Sequence, residues 1–148
     1  MYLRLATKDD MELVRAWRSN PLIYQGFFTQ KEPLTWEEHI VWWKSRNKDW
    51  REFIIVLDDR DIGVVSIGQL DHWTPEIGYF IGNPTDWGKG YGKKAVQLAL
   101  EWLREYGKKY CHTTVVKSNK RSMSLLKSLG FKVVAEARKG EVWMTKKL

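Results

Sequence analysis

The chain has 148 residues, a formal net charge of +7 and one cysteine. This length predicts a single domain over residues 1–148, and the lone Cys111 excludes an internal disulfide and favours a reducing, cytoplasmic location. The apolar runs are strand-length and the chain opens with Met1-Tyr2-Leu3, so we expect no membrane span and no signal peptide. The basic residues are scattered, which favours small anionic ligands over nucleic acid, and no metal site is expected.

The first half of the chain combines the apolar patterns of strands and helices with prolines that interrupt regular structure. Thr35 and Glu38 have the spacing of a helix-capping box, and Pro21 and Pro33 interrupt the stretch before them. The predicted elements are a strand at 2–6, a helix from Asp9 or Asp10 to about Arg18, a loop at 20–34, a helix from Thr35 to about Asn47, and a hairpin of strands at 52–57 and 62–70.

The second half combines strand patterns with two helical patterns. Asn119 is suited to cap a helix and Gly130 to end it. The predicted elements are a strand at 76–81, a long helix at 90–107, a strand at 111–116, a helix at 119–129, and a hairpin of strands at 131–137 and 141–147. The whole order predicts a mixed α/β (α+β) domain.

Three glycines at alternating positions, Gly88, Gly90 and Gly92, lie between the strand at 76–81 and the long helix. Strand, glycine loop and helix together form a typical phosphate site, because glycine lets the backbone approach and the helix N-terminus offers free N–H groups. The spacing fits neither the nucleoside-triphosphate loop nor the dinucleotide fingerprint. For the loop alone, a flexible turn that binds nothing is the alternative.

A second motif lies in and just after the helix predicted at 119–129. Its residues are Asn119, Ser122, Leu125, Gly130 and Phe131. Together with Gly90 and Gly92, this motif resembles the GCN5-related N-acetyltransferase (GNAT) superfamily. That family's loop reads Gln/Arg-x-x-Gly-x-Gly/Ala, and its later helix reads Asn-x-x-Ala/Ser-x-x-Leu-x-x-x-x-Gly-Phe. The resemblance covers essentially the whole chain. It implies a twisted, mostly antiparallel sheet with a V-shaped split and about four flanking helices.

The resemblance also implies an enzyme that moves the acetyl group of acetyl-coenzyme A to a primary amine. The implied cofactor-binding residues are Tyr79, Phe80 and Ile81 on the strand, Trp87, Gly88, Lys89, Gly90, Tyr91 and Gly92 in the loop, and Asn119, Ser122 and Lys127 on the later helix. The strand backbone would pair with the pantetheine arm at the split. The loop would cradle the pyrophosphate, and the helix residues would line the arm or meet a phosphate.

Two positions depart from the family pattern. Trp87 replaces the usual Gln or Arg, which resembles the branch containing the ribosomal-protein alanine N-acetyltransferases. Leu126 replaces the Tyr that protonates the leaving thiolate in many members. Ser124, Tyr91 or a water would then take that role, or the thiolate would leave unassisted.

Glu76, at the start of the strand at 76–81, is the candidate catalytic base. Family members often place a carboxylate on this strand, where it accepts the amine proton directly or through water. The alternative for Glu76 is an ordinary surface acid on an edge strand. His72 and His112 are the other candidates, with a surface position expected for His72 and a packing role for His112.

The N-terminal half would choose the acceptor, a small-molecule amine. Its candidate substrate-binding residues are Trp17, Arg18, Phe28, His39 and Trp42. This region resembles the amino-sugar N-acetyltransferases of the pseudaminic acid pathway, so the acceptor would be a UDP-linked amino sugar, with Arg18 meeting the pyrophosphate. Trp17 and Trp42 could equally be core residues of their helices. The alternatives are a protein N-terminus as acceptor and a non-catalytic acetyl-coenzyme A sensor. The sequence fits a monomer or a homodimer.

Overall fold

The computed structural model describes residues 1–27, 30–46 and 48–148. It contains a seven-stranded sheet in the order β1-β2-β3-β4-β5-β7-β6. The strands are β1 (Tyr2–Leu5), β2 (Arg51–Leu57), β3 (Arg60–Gly68), β4 (Glu76–Ile81), β5 (Tyr110–Val116), β6 (Lys132–Arg138) and β7 (Glu141–Lys147). The helices are α1 (Met11–Arg18), α2 (Pro21–Tyr24), α3 (Trp36–Ser45), α4 (Tyr91–Glu105) and α5 (Lys120–Ser128), with short 3₁₀ turns at Lys8–Asp10 and Pro84–Asp86.

One predicted loop contains a helix. The stretch 20–34 was expected to be irregular because of its prolines, but α2 begins at Pro21. Pro is compatible with the first position of a helix, because its missing N–H would have no partner there. The Asn20 side chain caps this helix by accepting a hydrogen bond from the Leu22 amide at 3.0 Å. The expected helix end near Asn47 lies outside the described residues.

The sheet divides between β4 and β5. All the other neighbouring strands are antiparallel, whereas β4 and β5 run parallel. Within the described part of the chain, β4 and β5 pair at one position, Glu76 opposite His112. The strands separate from there toward their carboxyl ends. The V-shaped split expected at β4, and with it the predicted fold class, is confirmed.

Each face of the sheet has its own apolar core. On one face, α4 and α5 cover a large cluster that includes Val65, Ile77 and Leu103. On the other face, α1 and α3 lie over a smaller cluster around Ile54 and Val64. Side chains alternate between the faces along a strand, so successive residues of β4 belong to different cores. Among the described helices, none combines the length and apolar character needed to cross a bilayer.

Candidate active site

The glycine loop opens the N-terminus of α4. Gly88 and Gly90 have φ angles of +75° and +82°, in the left-handed region that favours glycine, and Gly90 is the N-cap of α4. A Cβ atom at either position would meet no protein atom within 4 Å. The loop therefore leaves open space in front of the amides of the helix N-terminus, which is the arrangement that binds a phosphate.

The backbone of β4 offers hydrogen-bonding groups to the split. The Gly82 amide donates to the Ile62 carbonyl at 2.8 Å, which places even-numbered residues of β4 in the ladder with β3. The N–H and C=O of Tyr79 consequently point toward β5, where the strands have separated. Phe80 differs from the expectation, because its backbone belongs to the β3 ladder and its side chain packs against α1. Of the three strand residues, Tyr79 is best placed to pair with an extended ligand.

Trp87 connects the glycine loop to β4 and α5. Its indole Nε1–H donates to the Ile81 carbonyl at 3.0 Å, so this carbonyl already has one partner. The Arg121 guanidinium lies 4.2 Å from the centre of the Trp87 ring. Trp87 thus replaces the usual family residue with a side chain that ties the loop to β4 and α5.

The opposite wall of the split is the first turn of α5. The Asn119 side chain caps this helix by accepting from the Ser122 amide at 3.2 Å. The Ser122 hydroxyl in turn lies 2.7 Å from the Tyr79 hydroxyl, across the cleft on β4. Leu126, one turn further on, is 1% exposed and belongs to the large core. The side chain at the usual Tyr position is therefore turned away from any ligand.

These walls enclose a continuous cleft of about 1040 Å³. Its lining includes β4, the glycine loop, the ends of β5 and the first turn of α5. Open amides at a helix N-terminus, free strand groups and an apolar channel match the phosphates and the extended arm of acetyl-coenzyme A. Of the residues predicted to bind the cofactor, Lys89 and Lys127 are exposed and lie outside this lining.

Sequence reasoning missed an ion pair beneath the loop. Asp86 is 4% exposed and accepts two hydrogen bonds from the Arg60 guanidinium, at 2.8 and 3.0 Å. These bonds hold the pKa of the Asp86 carboxyl below its usual value. The Lys89 ammonium lies 3.9 Å from the same carboxylate. Asp86 therefore fixes the segment that leads into the glycine loop. In the sequence, only its position two residues before Gly88 indicated such a role.

The candidate base lies at the point where the strands part. Glu76 lines the cleft, and its side chain is on the same sheet face as that of Phe80, toward α1 and α3. The Gln69 amide lies 3.5 Å from its carboxylate. The two alternative bases are placed as expected. His72 is exposed, and the ring of His112 packs beside Trp143 with its Nδ1 2.8 Å from the Thr74 carbonyl.

The acceptor residues predicted on α1 and α3 form a half-buried stack rather than an open surface. The Arg18 guanidinium lies 4.1 Å from the centre of the Trp42 ring, and the His39 ring stacks on Trp42 at 5.4 Å. His39 is completely buried. Trp17 packs edge-on against Phe80 in the smaller core. Phe28 lies outside the described residues.

Trp50 extends this stack toward the sheet, together with three residues that sequence reasoning missed. They are Arg46, Glu52 and Ser66. Arg46 lies between the Trp42 and Trp50 rings, at 4.2 and 4.0 Å, and its Nε is 3.1 Å from the Glu52 carboxylate. The Ser66 hydroxyl donates to the other oxygen of Glu52. Burial raises the pKa of the Glu52 carboxyl above its ordinary value. Only the alternation along β2 could have indicated that Glu52 faces α3.

A comparison with protein families decides the assignment. The model for the GNAT acetyltransferase domain matches residues 1–132. The chain belongs to the GNAT acetyltransferase family. This membership confirms the predicted enzyme class, an acyltransferase that uses acetyl-coenzyme A. Among the described residues, no three side chains of metal-ligating type cluster together.

Individual relatives of this GNAT domain are similar in sequence or in fold. An uncharacterised protein of Methanocaldococcus jannaschii is 46% identical over 145 residues, which are 94% of this chain but only 29% of that protein. The crystal structure of a domain from the same organism has a TM-score of 0.93 at 43% identity and covers 99% of this chain and 97% of that one. An aminoglycoside acetyltransferase, in complex with coenzyme A and kanamycin, has a TM-score of 0.85 at 18% identity, over 99% and 94% of the two chains. At that identity the likeness shows the fold alone.

Proposed function

We propose that this GNAT domain acetylates the primary amine of a nucleotide-linked amino sugar. The observation that carries the proposal is Arg18, a largely buried cation with no carboxylate within ion-pair distance among the described residues. Buried charges in proteins are usually paired, so a guanidinium without an acidic partner favours an anionic ligand. A diphosphate matches the planar donor set of arginine.

The surroundings of Arg18 support this assignment. Burial, together with the nearby charge of Arg46, lowers the pKa of the Arg18 guanidinium to about 10, so Arg18 stays charged at neutral pH. The buried Nε2 of His39 has no hydrogen-bond partner in the described part of the protein. Burial and the charge of Arg18 hold the pKa of His39 below its ordinary value. An incoming anion would therefore relieve the repulsion between Arg18 and Arg46, and it could accept a hydrogen bond from the neutral His39 ring.

A second basic area adjoins the cleft. A pocket of about 300 Å³ is lined by Lys31, Lys117 and Lys139 together with Phe27. Phe27 also lines the main cleft, so the pocket and the cleft share a wall. Lysines beside an aromatic ring favour a phosphorylated or otherwise anionic acceptor over a polyamine, which the net charge of +7 would repel.

Acetyl transfer requires mainly that acetyl-coenzyme A and the amine be held in the correct position. Bound acetyl-coenzyme A supplies an activated thioester, and the amine must reach it uncharged. Glu76 lines the cleft on the face that α1 and α3 cover, so a water between Glu76 and the amine could carry the amine proton away. No described nucleophile suggests a covalent enzyme intermediate. Cys111 is fully buried, and this burial raises the pKa of its thiol to about 12.

The decisive experiment compares Arg18→Ala with Arg15→Ala, which is on the same helix but pairs with Glu12. Arg18→Ala should raise the KM of the amino-sugar nucleotide on the order of tenfold or more, because it removes a charge-assisted hydrogen bond. The KM of acetyl-coenzyme A should stay the same, and Arg15→Ala should change neither constant. UDP alone should compete with the acceptor.

The same assays test the alternatives. A purely structural Arg18 would instead lower the melting temperature and leave the acceptor KM unchanged. Rapid acetylation of an N-terminal peptide, without competition by UDP, would show that the acceptor is a protein N-terminus instead of an amino sugar. Trp87 suggested this alternative in the sequence. Absence of turnover with every amine tested, together with tight binding of acetyl-coenzyme A, would indicate a sensor.

A further inference from the structure

The two facing walls of the cleft are joined by a pair of hydroxyl groups. Tyr79 on β4 and Ser122 on α5 approach to 2.7 Å between their oxygens. We propose that Tyr79, positioned by Ser122, donates the proton to the sulfur that leaves when the amine attacks the thioester. The inference rests on N-acetyl transfer as the reaction of this site, but not on the identity of the acceptor.

The position of the pair is the first support. The Tyr79 backbone points into the split between β4 and β5, and its side chain is on the face that α4 and α5 cover. Ser122 lies in the first turn of α5, where its amide is fixed by the Asn119 side chain. Both residues line the same cleft. A ligand extended along β4 would therefore pass beside the phenol.

The second support is that the donors named from the sequence are less well placed. Leu126 is buried in the core and carries no proton to give. Ser124 is exposed and outside the cleft lining. Tyr91 lines the cleft but begins α4, at the end that holds the phosphates. Tyr79 is the tyrosine that lies along the strand itself, between the glycine loop and Glu76.

The chemistry of the phenol fits the task. Burial raises the pKa of Tyr79, so the proton remains on the oxygen at neutral pH until a strong base appears beside it. Phenols and alkyl thiols have similar ordinary pKa values, and the hydrogen bond with Ser122 opposes the rise that burial causes in the pKa of Tyr79, which favours proton transfer to a thiolate beside it. When Ser122 donates to the phenol oxygen, the phenolic O–H is free to point into the cleft, and Ser122 supports the negative charge that develops there.

The protons and bonds balance. The amine nitrogen forms a bond to the carbonyl carbon, and the carbon–sulfur bond breaks with its electron pair going to sulfur. The amine loses one proton to Glu76 or water, and sulfur gains one from Tyr79. The tyrosinate then regains a proton from solvent, so the net change is one proton moved from nitrogen to sulfur.

The test is Tyr79→Phe, which keeps the ring and removes only the hydroxyl. We expect kcat to fall on the order of a hundredfold, in the usual range for loss of an acid catalyst. The dissociation constant of coenzyme A and the melting temperature should stay close to those of the parent. Tyr106→Phe is the control, because Tyr106 is half-exposed at the end of α4 and stacks on Trp102.

A second measurement needs no acceptor. In the binary complex with coenzyme A, the ultraviolet absorbance of the thiolate reports the titration of the bound thiol. A hydrogen bond from Tyr79 stabilises the thiolate, so the thiol should titrate at higher pH in Tyr79→Phe than in the parent. Ser122→Ala should shift it in the same direction by less, because Ser122 acts through Tyr79.

The outcomes separate this inference from the choice of acceptor. An unchanged kcat in a folded Tyr79→Phe variant, or a thiol titration that does not move, would overturn it. If Tyr79→Phe binds coenzyme A more weakly and melts at a lower temperature but keeps the parental kcat, the hydroxyl pair has only a structural role. The thiol titration gives its answer even when the amino-sugar proposal fails.

Discussion

The two faces of β4 present different chemical groups. The face toward α4 and α5 presents backbone amides, hydroxyls and a large apolar core to the cofactor cleft. The face toward α1 and α3 covers a small apolar cluster and a stack of buried charges that includes Arg18, Arg46 and Glu52. A constant cofactor can be held by the backbone, whereas a particular acceptor is recognised by side chains and their charges.

Two buried carboxylates show the same contrast. The Asp86 side chain is 4% exposed and that of Glu52 is 9% exposed. Arg60 forms two short hydrogen bonds with Asp86, and the pKa of Asp86 is lowered. Glu52 has an arginine at 3.1 Å as well, yet burial dominates and its pKa is raised. The Asp86 charge is thus satisfied by its ion pair, whereas the ion pair of Glu52 does not offset the effect of burial.

The largest effect should come from the glycine loop. Gly90→Val should abolish coenzyme A binding, because the side chain would project into the open space before the α4 amides and strain the loop backbone. Gly107→Val is a matched control, since Gly107 also has a positive φ, +96°, and open space around it, but lies at the other end of α4. Calorimetric titration with coenzyme A checks both variants. Unchanged affinity in folded Gly90→Val would remove the loop from the cofactor site.

The next effect concerns Glu76, at the point where β4 and β5 separate. Glu76→Gln should lower kcat on the order of a hundredfold while coenzyme A binding is kept, because the amine proton loses its acceptor. Glu101→Gln, on an exposed position of α4, is the control. A parental rate in Glu76→Gln would assign the proton to another group or to bulk water.

The smallest effects should appear in the stability of the fold. The contributions of Asp86 and Glu52 to stability should depend on pH in opposite directions. Asp86 has a lowered folded pKa, so its contribution is present above about pH 4 and is lost as the pH falls through the folded value. Glu52 has a raised folded pKa, so its contribution is present below about pH 4 and is lost as the pH rises through the folded value.

Thermal unfolding between acidic and neutral pH tests this difference. Asp86→Asn should melt below the parent at neutral pH, and the gap should close in acid. Glu52→Gln should melt at or above the parent at neutral pH, and this gap should also close in acid. Equal and pH-independent shifts in the two variants would contradict the electrostatic contrast between the faces.

The sequence alone predicted most of the cleft along β4. Glycine spacing, the Asn119 cap and the apolar periods are local patterns, so they predicted nearly all the elements, and the family resemblance that they carry implied the split at β4 and most of the residues that line the cleft. The same patterns predicted the capping box at Thr35, which the structure shows with both of its hydrogen bonds at 3.2 Å. Backbone-built sites can be read from sequence because a few residue types are required at fixed offsets.

Only the tertiary structure shows how the residues proposed to bind the acceptor are arranged. Arg18, Trp42 and Glu52 come from three different elements, and nothing local shows that they lie together or which charge has no carboxylate partner among the described residues. His39 was predicted to bind the acceptor, and packing of α3 against α1 buries it completely. Tyr79 and Ser122 were each predicted to line the cofactor, yet their hydrogen bond depends on the packing of α5 against the split sheet. Side-chain sites of this kind arise from packing between elements, and sequence periodicity does not encode that packing.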